Sequence, residues 1–409
     1  MPPTPLRKDR NFVLFWILQA VSFAGDSLTT LAVPVLVLQL TGSVFQMGLV
    51  TAAVGALWLV SGVLAGSIVD RFDRRTVMIV CDVVRAALYG SVPLVWLIDP
   101  HIWVLYAAMP LGAAAGMVYQ VAYITAVPSL VGRERITQAN GLLAATYAVA
   151  GITGPAVAGV LFTVLHPASV IGIDAASFAV SAVAMSFVRL GSREASPERV
   201  SPIRGFVTGT RFLWQNPVLR TITLLLAGVL FLTYGLDDLL IYHLKNDLGQ
   251  SSGAVGVVFA IGAAGTVVAG SIVPVLRRRL GFGACWIGAY ALTAVAIASA
   301  GSATVVPVIA GLVAVILFCQ GIAGMCSMSL RQEVTPDHLL GRVTSAFWTI
   351  HYLPGPIGAP LITLAAANLG VPAVTLLLGV GLLVIAALAA LSPLRVREPE
   401  RIPTVGAAS

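Results

Sequence analysis

Charge is scarce in this chain: 10% of its 409 residues are Asp, Glu, Lys or Arg, against 58% hydrophobic residues and a mean hydropathy of +0.95. A water-soluble fold cannot hide that much apolar surface, so a membrane must act as the solvent. Lysine is rarer still, with Lys8 and Lys245 alone, and no Gly-x-x-x-x-Gly-Lys-Ser/Thr phosphate loop occurs. That excludes an ATP-driven pump, and nothing in the chain suggests an enzyme. Four cysteines, Cys81, Cys285, Cys319 and Cys326, all fall in apolar runs, where a thiol behaves as a small hydrophobe; no disulfide framework follows. No His/Cys/acid cluster has metal-ligand spacing, so neither a metal centre nor another cofactor is expected. The net charge of +7 comes from basic residues scattered between apolar runs, which points to anionic lipid headgroups as partners and away from nucleic acid.

What is present is apolar length. About 20 apolar residues cross a bilayer as a helix, and such runs recur from Asn11 almost to Pro393. The first is too long for a cleaved signal peptide and leads straight into further spans. Reading the runs against their charged breaks predicts twelve helices at 12–40, 44–69, 76–97, 101–126, 140–165, 168–189, 218–244, 254–276, 283–300, 304–330, 344–368 and 371–393. Arg7, Lys8, Arg10, Arg71, Arg74, Arg75, Arg133 and Arg135 then share one side with the arginines of the central segment, Arg277 to Arg279, Arg331, Arg342, Arg395, Arg397 and Arg401. The opposite loops hold only Lys245, so the positive-inside rule puts both termini in the cytoplasm. The expected location is a bacterial inner membrane.

Between Leu190 and Pro217 the sequence turns polar before an amphipathic stretch, Gly205 to Trp214, that fits a short helix at the cytoplasmic interface. This segment, 190–217, divides an N-terminal bundle, 1–189, from a C-terminal bundle with a short tail, 218–409. The halves echo one another: Gly66-Ser67-Ile68-Val69 ends the second span and Gly270-Ser271-Ile272-Val273 the eighth, about 204 residues apart, each ahead of an arginine cluster. Pro128 and Gly132-Arg133 before span five likewise match Pro336 and Gly341-Arg342 before span eleven. Internal duplication of this kind builds a central site that can face either side.

Two motifs sharpen this. Gly66-Ser-Ile-Val-Asp70-Arg71-Phe-Asp73-Arg74-Arg75 resembles Gly-x-x-x-Asp-Arg-x-Gly-Arg-Arg, the signature between helices 2 and 3 of the major facilitator superfamily, with Asp73 where that pattern has Gly. The resemblance covers Arg10 to Pro393 and implies an all-α polytopic membrane protein of twelve transmembrane helices in two pseudo-symmetric six-helix bundles. Gly66 would let helix backbones approach, and Asp70 would latch the halves by facing the N-terminus of helix 11, with Arg71, Arg74 and Arg75 at the headgroups. A charged turn that merely fixes topology accounts for the arginines but not for a Gly four residues before an Asp. In the fifth span Gly141, Ala150, Gly154-Pro155, Ala158 and Gly159 resemble the exporter signature Gly-x8-Gly-x3-Gly-Pro-x2-Gly-Gly, with alanine at two glycine positions. Arg10-Asn11-Phe12, Gly25-Asp26 and Gln138-Ala139-Asn140-Gly141 are similar to the branch of macrolide-efflux proteins and the enterobactin exporter, which implies drugs or secondary metabolites such as siderophores as cargo.

An ionisable side chain at membrane depth costs at least ~2.5–3.5 kcal/mol, so each one asks for a reason. Asp26 lies about 22 Å along the first helix and stands alone there, which makes it the leading proton carrier. Asp237 and Asp238 in span seven are further candidates, or a hydrated pair near Lys245. Asp82 has Arg85 one turn on, a structural ion pair. Asp174 falls in helix 6, peripheral in the family, where packing or interfacial solvation is expected. His351 is either a proton carrier or a hydrogen-bonded packing residue.

A pocket for amphipathic cargo needs aromatic walls with a few polar handles. Helices 1, 4, 7 and 10, which line the cavity in the family, supply Gln19, Phe23, Tyr119, Gln120, Tyr123, Phe231, Tyr234 and Gln320, with Trp58, Tyr147, Trp348 and Tyr352 on flanking helices. Acids in the outer half would favour neutral or cationic lipophiles over multiply charged anions. The expected function is export of small amphipathic molecules by proton antiport, carried out by a monomer. Proton- or sodium-coupled import is the alternative, and short extramembrane loops weaken a non-transporting receptor.

Overall fold

The structure, a computed structural model, describes residues 6, 9–131, 135–188, 190 and 202–401. Arg7, Lys8, Gly132, Arg133, Arg189 and residues 191–201 of the predicted linker lie outside the described residues. The described chain is helical: α1 Arg10–Thr41, α2 Val44–Arg71, α3 Arg74–Ile98, α4 Trp103–Val131, α5 Ile136–Leu161, α6 Pro167–Met185, α7 Pro202–Gln215, α8 Pro217–Thr233, α9 Leu236–Tyr242, α10 Ser252–Leu280, α11 Phe282–Ala300, α12 Val306–Val334, α13 Asp337–Tyr352, α14 Gly355–Leu369 and α15 Val371–Ala390. Eleven segments among the described residues are long and apolar enough to cross a membrane. The twelfth, predicted at 344–368, is split at Leu353-Pro354 between α13 and α14.

Local chemistry sets the helix ends. Asp9, Ser43 and Asp73 each take a backbone N–H of the first turn of α1, α2 and α3, and the Asn216 side chain takes those of Val218 and Leu219 at 3.0 and 3.1 Å. Pro167 and Pro217 sit where a helix needs no N–H. Gly42, at φ +63, ends α1 in the left-handed region open to glycine. The departure of Asp73 from the family pattern thus has a local role: it caps α3, accepting from Thr76 N at 2.9 Å.

The chain divides into two compact units, residues 1–195 with 250–260, and residues 196–249 with 261–409. In the first, α3 packs on α4 and α6, and α1 on α5 and α6. In the second, α11 packs on α12 and α15, and α8 on α13, α14 and α15. These are the same adjacencies in the same order, as a duplicated bundle requires. The predicted seventh span is interrupted at Tyr234-Gly235, between α8 and α9. The interruption has no proline; Gly235 instead presses on the Ala359 backbone of α14, with Ala359 Cα 3.1 Å from the place of a Cβ.

Candidate functional site

Three helices of the first unit carry polar residues at spacings of three and four, which keeps each set on one helix face: Gln19, Ser22 and Asp26 on α1; Asp82, Arg85 and Tyr89 on α3; Asp174, Ser177 and Ser181 on α6. They meet inside the bundle. The Arg85 guanidinium donates to Asp26 as an ion pair and lies 3.7 Å from the Phe178 ring centroid. Arg85 is 8% exposed and Asp26 40%, so the pair has a buried end and an accessible end. Asp26, Asp82 and Asp174 all act electrostatically on this one guanidinium.

This corrects the sequence reading twice. Arg85 pairs with Asp26 of α1 and not with Asp82 on its own helix, and Asp26 is not alone. The reason is reach: a neighbour at i−3 lies beside the base of a long arginine, whereas an acid on the facing helix meets its tip. Asp82 is fully buried with Ser181 and Arg85 as polar neighbours, yet neither carboxylate oxygen has a hydrogen-bond partner. Asp174, expected as packing or interfacial, belongs to the same interior. It is fully buried and accepts from Thr29 Oγ1 at 2.5 Å and Ser177 Oγ at 3.3 Å. Glycine makes the room: a Cβ on Gly25 would strike the Asp174 carboxylate, and one on Gly116 would touch Arg85. The position 204 residues after Asp82 is Trp286, which donates Nε1–H to Ser327 at 2.9 Å, so the duplicate bundle holds an apolar counterpart.

Of the other predicted groups, Gln19 and Tyr119 are buried and bonded to each other, Gln19 Nε2 donating to Tyr119 Oη at 2.5 Å; they are interior and not cavity wall. Phe23 makes edge contacts with Tyr123 and Tyr147, at 6.3 and 5.1 Å, and Gln120 and Tyr147 are exposed. Trp58 is half-buried on α2. In the second unit Phe231, Tyr234 and Gln320 are half-buried, and Trp348, His351 and Tyr352 form a run of touching rings on α13. Asp238 is buried and Asp237 exposed; both lie in the first turn of α9, where the helix dipole favours acids.

The two motifs resolve differently. Gly154 of α5 packs on Ser27 beside Asp26, and Gly159 meets the start of α10, with Gly256 Cα 2.8 Å and Gly253 O 3.0 Å from the place of its Cβ. Ala150 and Ala158 are buried, whereas Gly141 faces open space. Gly66 also has nothing within 4 Å of a Cβ, so it makes no close helix approach, contrary to its expected role. Asp70 and Arg71 are exposed, Arg74 is half-buried, and Arg75 donates to the Ser186 carbonyl at the end of α6.

Solved structures share this architecture. A bacterial homologue of the human lysosomal transporter Spinster superposes with a TM-score of 0.77 at 15% identity, covering 98% of this chain and 99% of that one. A bacterial homologue of the iron transporter ferroportin gives 0.67 at 18%, covering 92% and 99%. Curated relatives include the multidrug efflux pump Tap of Mycolicibacterium fortuitum, 29% identical over 394 residues, 92% of this chain and 93% of that protein. The enterobactin exporter EntS of Escherichia coli O1:K1 / APEC is 26% identical over 414 residues, 97% and 95% of the two. The family model described as Major Facilitator Superfamily matches residues 15–359, and the chain belongs to that family: it is a multi-pass membrane protein and a secondary transporter, not an enzyme.

Proposed function

We propose that this transporter exports small amphipathic molecules, drugs or secondary metabolites such as siderophores, in exchange for protons. The observation that carries the coupling is the Asp26–Arg85 pair: one guanidinium serves three acids, and the acid it binds is the most exposed of them. A proton reaching Asp26 would cancel its charge and loosen Arg85, so proton occupancy and the arrangement of α1 against α3 are linked. Export is supported by the small-residue face of α5 and by the efflux pump and exporter among the relatives. Asp237, Asp238 and His351 are secondary proton candidates, and Phe23, Gln120, Tyr123, Tyr147, Tyr234 and Trp348 candidate cargo contacts. The proposed setting is a bacterial inner membrane with both termini cytoplasmic and Asp70 latching the halves.

Everted vesicles test the reading. With an imposed pH gradient, wild-type vesicles are expected to accumulate cargo and Asp26→Asn vesicles to lose at least tenfold in that gradient-driven uptake at equal protein level. Uptake by whole cells in place of everted vesicles would make the protein an importer, and undiminished uptake by Asp26→Asn would remove Asp26 from the coupling.

A further inference from the structure

A second buried cation lies in the other unit, and among the described residues no acid pairs with it. Arg331, in the last turn of α12, is 3% exposed. Among the described residues no carboxylate lies within ion-pair distance of its guanidinium, and none acts on it electrostatically. Glu333, two residues on, is taken by Arg277. Its Nε–H has no hydrogen-bond partner. Holding a guanidinium out of water without a counter-charge costs several kcal/mol, so a site of this kind calls for an anion.

What faces Arg331 is aromatic. Its Cζ stands 4.1 Å from the Phe347 ring centroid and 5.3 Å from that of Trp348. The rings continue along α13: Phe347 stacks on His351 at 5.6 Å, Trp348 on Tyr352 at 5.4 Å, and His351 meets Tyr352 at 5.1 Å. Phe347 is buried, but Trp348 is 40% exposed, and Met328, one turn before Arg331, is also exposed. His351 Nδ1 is a second buried nitrogen without a partner. The row therefore has a sealed cationic end and an open aromatic end. Nε is one prong of the edge by which arginine grips a carboxylate with two parallel hydrogen bonds.

We propose that Arg331 and the Phe347–Trp348–His351–Tyr352 face of α13 seat a planar aromatic monoanion, an aromatic carboxylate or phenolate whose ring lies along Trp348 and Tyr352. This rests on the transport reading and names a cargo class for it. It also departs from the preference for cations read from the outer acids, none of which, Asp237 and Asp238 of the same unit included, acts on Arg331.

The test uses two probes of one ring and opposite charge, 1-naphthoate and 1-naphthylmethylammonium, titrated calorimetrically into the full-length protein in neutral-lipid nanodiscs. Wild type is expected to bind the carboxylate at least tenfold more tightly. Arg331→Gln should erase that preference, Arg331→Lys should retain part of it, and Trp348→Ala should weaken both probes alike. Equal binding of the two ions by wild type would overturn the proposal, and this arm needs no variant to fold. So would unchanged naphthoate binding in an Arg331→Gln protein of wild-type melting temperature. An anionic headgroup is the rival occupant: if phosphatidylglycerol abolishes naphthoate binding and raises the melting temperature through Arg331, the site is a lipid seat and the cargo claim falls. Failure of naphthoate to bind while everted vesicles still pump other cargo would sink the anion seat alone; binding without pumping would sink the export reading alone.

Discussion

Arg85 is the single guanidinium on which Asp26, Asp82 and Asp174 all act, so its removal should be felt three times. Arg85→Met keeps the apolar stem but removes the guanidinium that lies over Phe178, and leaves three acids without their cation. The expected loss is on the order of 3 kcal/mol, the low end for a broken buried pair, because Asp26 is 40% exposed. Asp26→Asn in the same chain should return part of it, since one charge needing compensation is gone. Thermal melting in detergent reads both effects; an Arg85→Met protein that melts like wild type would show that Arg85 compensates nothing. Asp26 was legible from the sequence because depth in an apolar run is visible there. Its partner was not. The Asp82–Arg85 spacing describes one helix surface, and the competing acid came from another helix. The signal that could have found the whole cluster was the three polar files, Gln19-Ser22-Asp26, Asp82-Arg85-Tyr89 and Asp174-Ser177-Ser181, since a polar stripe on each of several apolar helices has to meet others of its kind.

Helix-to-helix distance is set by the small residues of α5 and α10. A Cβ on Gly256 would fall 2.6 Å from Gly159 N and 2.8 Å from Pro155 O, so the two backbones touch. Gly256→Val must push α10 from α5, whereas Gly141→Ala adds a methyl to open space and improves helix propensity. The first should lower the melting temperature by several degrees and cut transport at least tenfold, while the second leaves both near wild type. If Gly256→Val transports normally, the contact has no bearing on the cycle. At this scale the sequence was informative about where helices exist and poor about where they break. Apolar length forecasts a span, and α7 matches the amphipathic stretch at 205–214. The break at Leu353 is local, since Pro354 follows it and Pro356 opens α14. The interruption at Gly235 depends instead on tertiary contact: Gly235 packs on Ala359, and Gly358 on the Phe231 backbone, which pins α8 to α14 beside the gap. No window of local sequence contains both partners.

Over the whole molecule the duplication is most informative where the copies differ. The residues 204 positions after Asp70, Arg71, Arg74 and Arg75 are Pro274, Val275, Arg278 and Arg279, so the second copy keeps two of the three arginines and loses the acid. There the turn from α10 to α11 is tied down locally. Arg277 holds Glu333 by two hydrogen bonds, at 2.9 and 2.5 Å, and reaches Glu400 at 3.6 Å. The final segment adds Arg397 Nη2 donating to the Arg278 carbonyl, while Phe282 N and Gly283 N donate to Arg397 O and Val396 O. In the first copy Asp73 caps α3 and Arg75 donates to the Ser186 carbonyl, and Asp70 and Arg71 are exposed. One turn is thus tied down within its own unit, whereas the proposed latch gives the other a part in the conformational balance. Glu333→Gln with Glu400→Gln should cost roughly 1 kcal/mol of stability, because the Glu333 side chain is 42% exposed, and should leave the ratio of inward to outward states alone. Asp70→Asn should do the reverse, shifting that ratio severalfold with little change in melting. Distances between spin labels on the two units, measured beside the melting curves, separate the cases: a wild-type ratio in Asp70→Asn removes the latch, and an equal shift in the glutamate variant removes the division of labour between the copies.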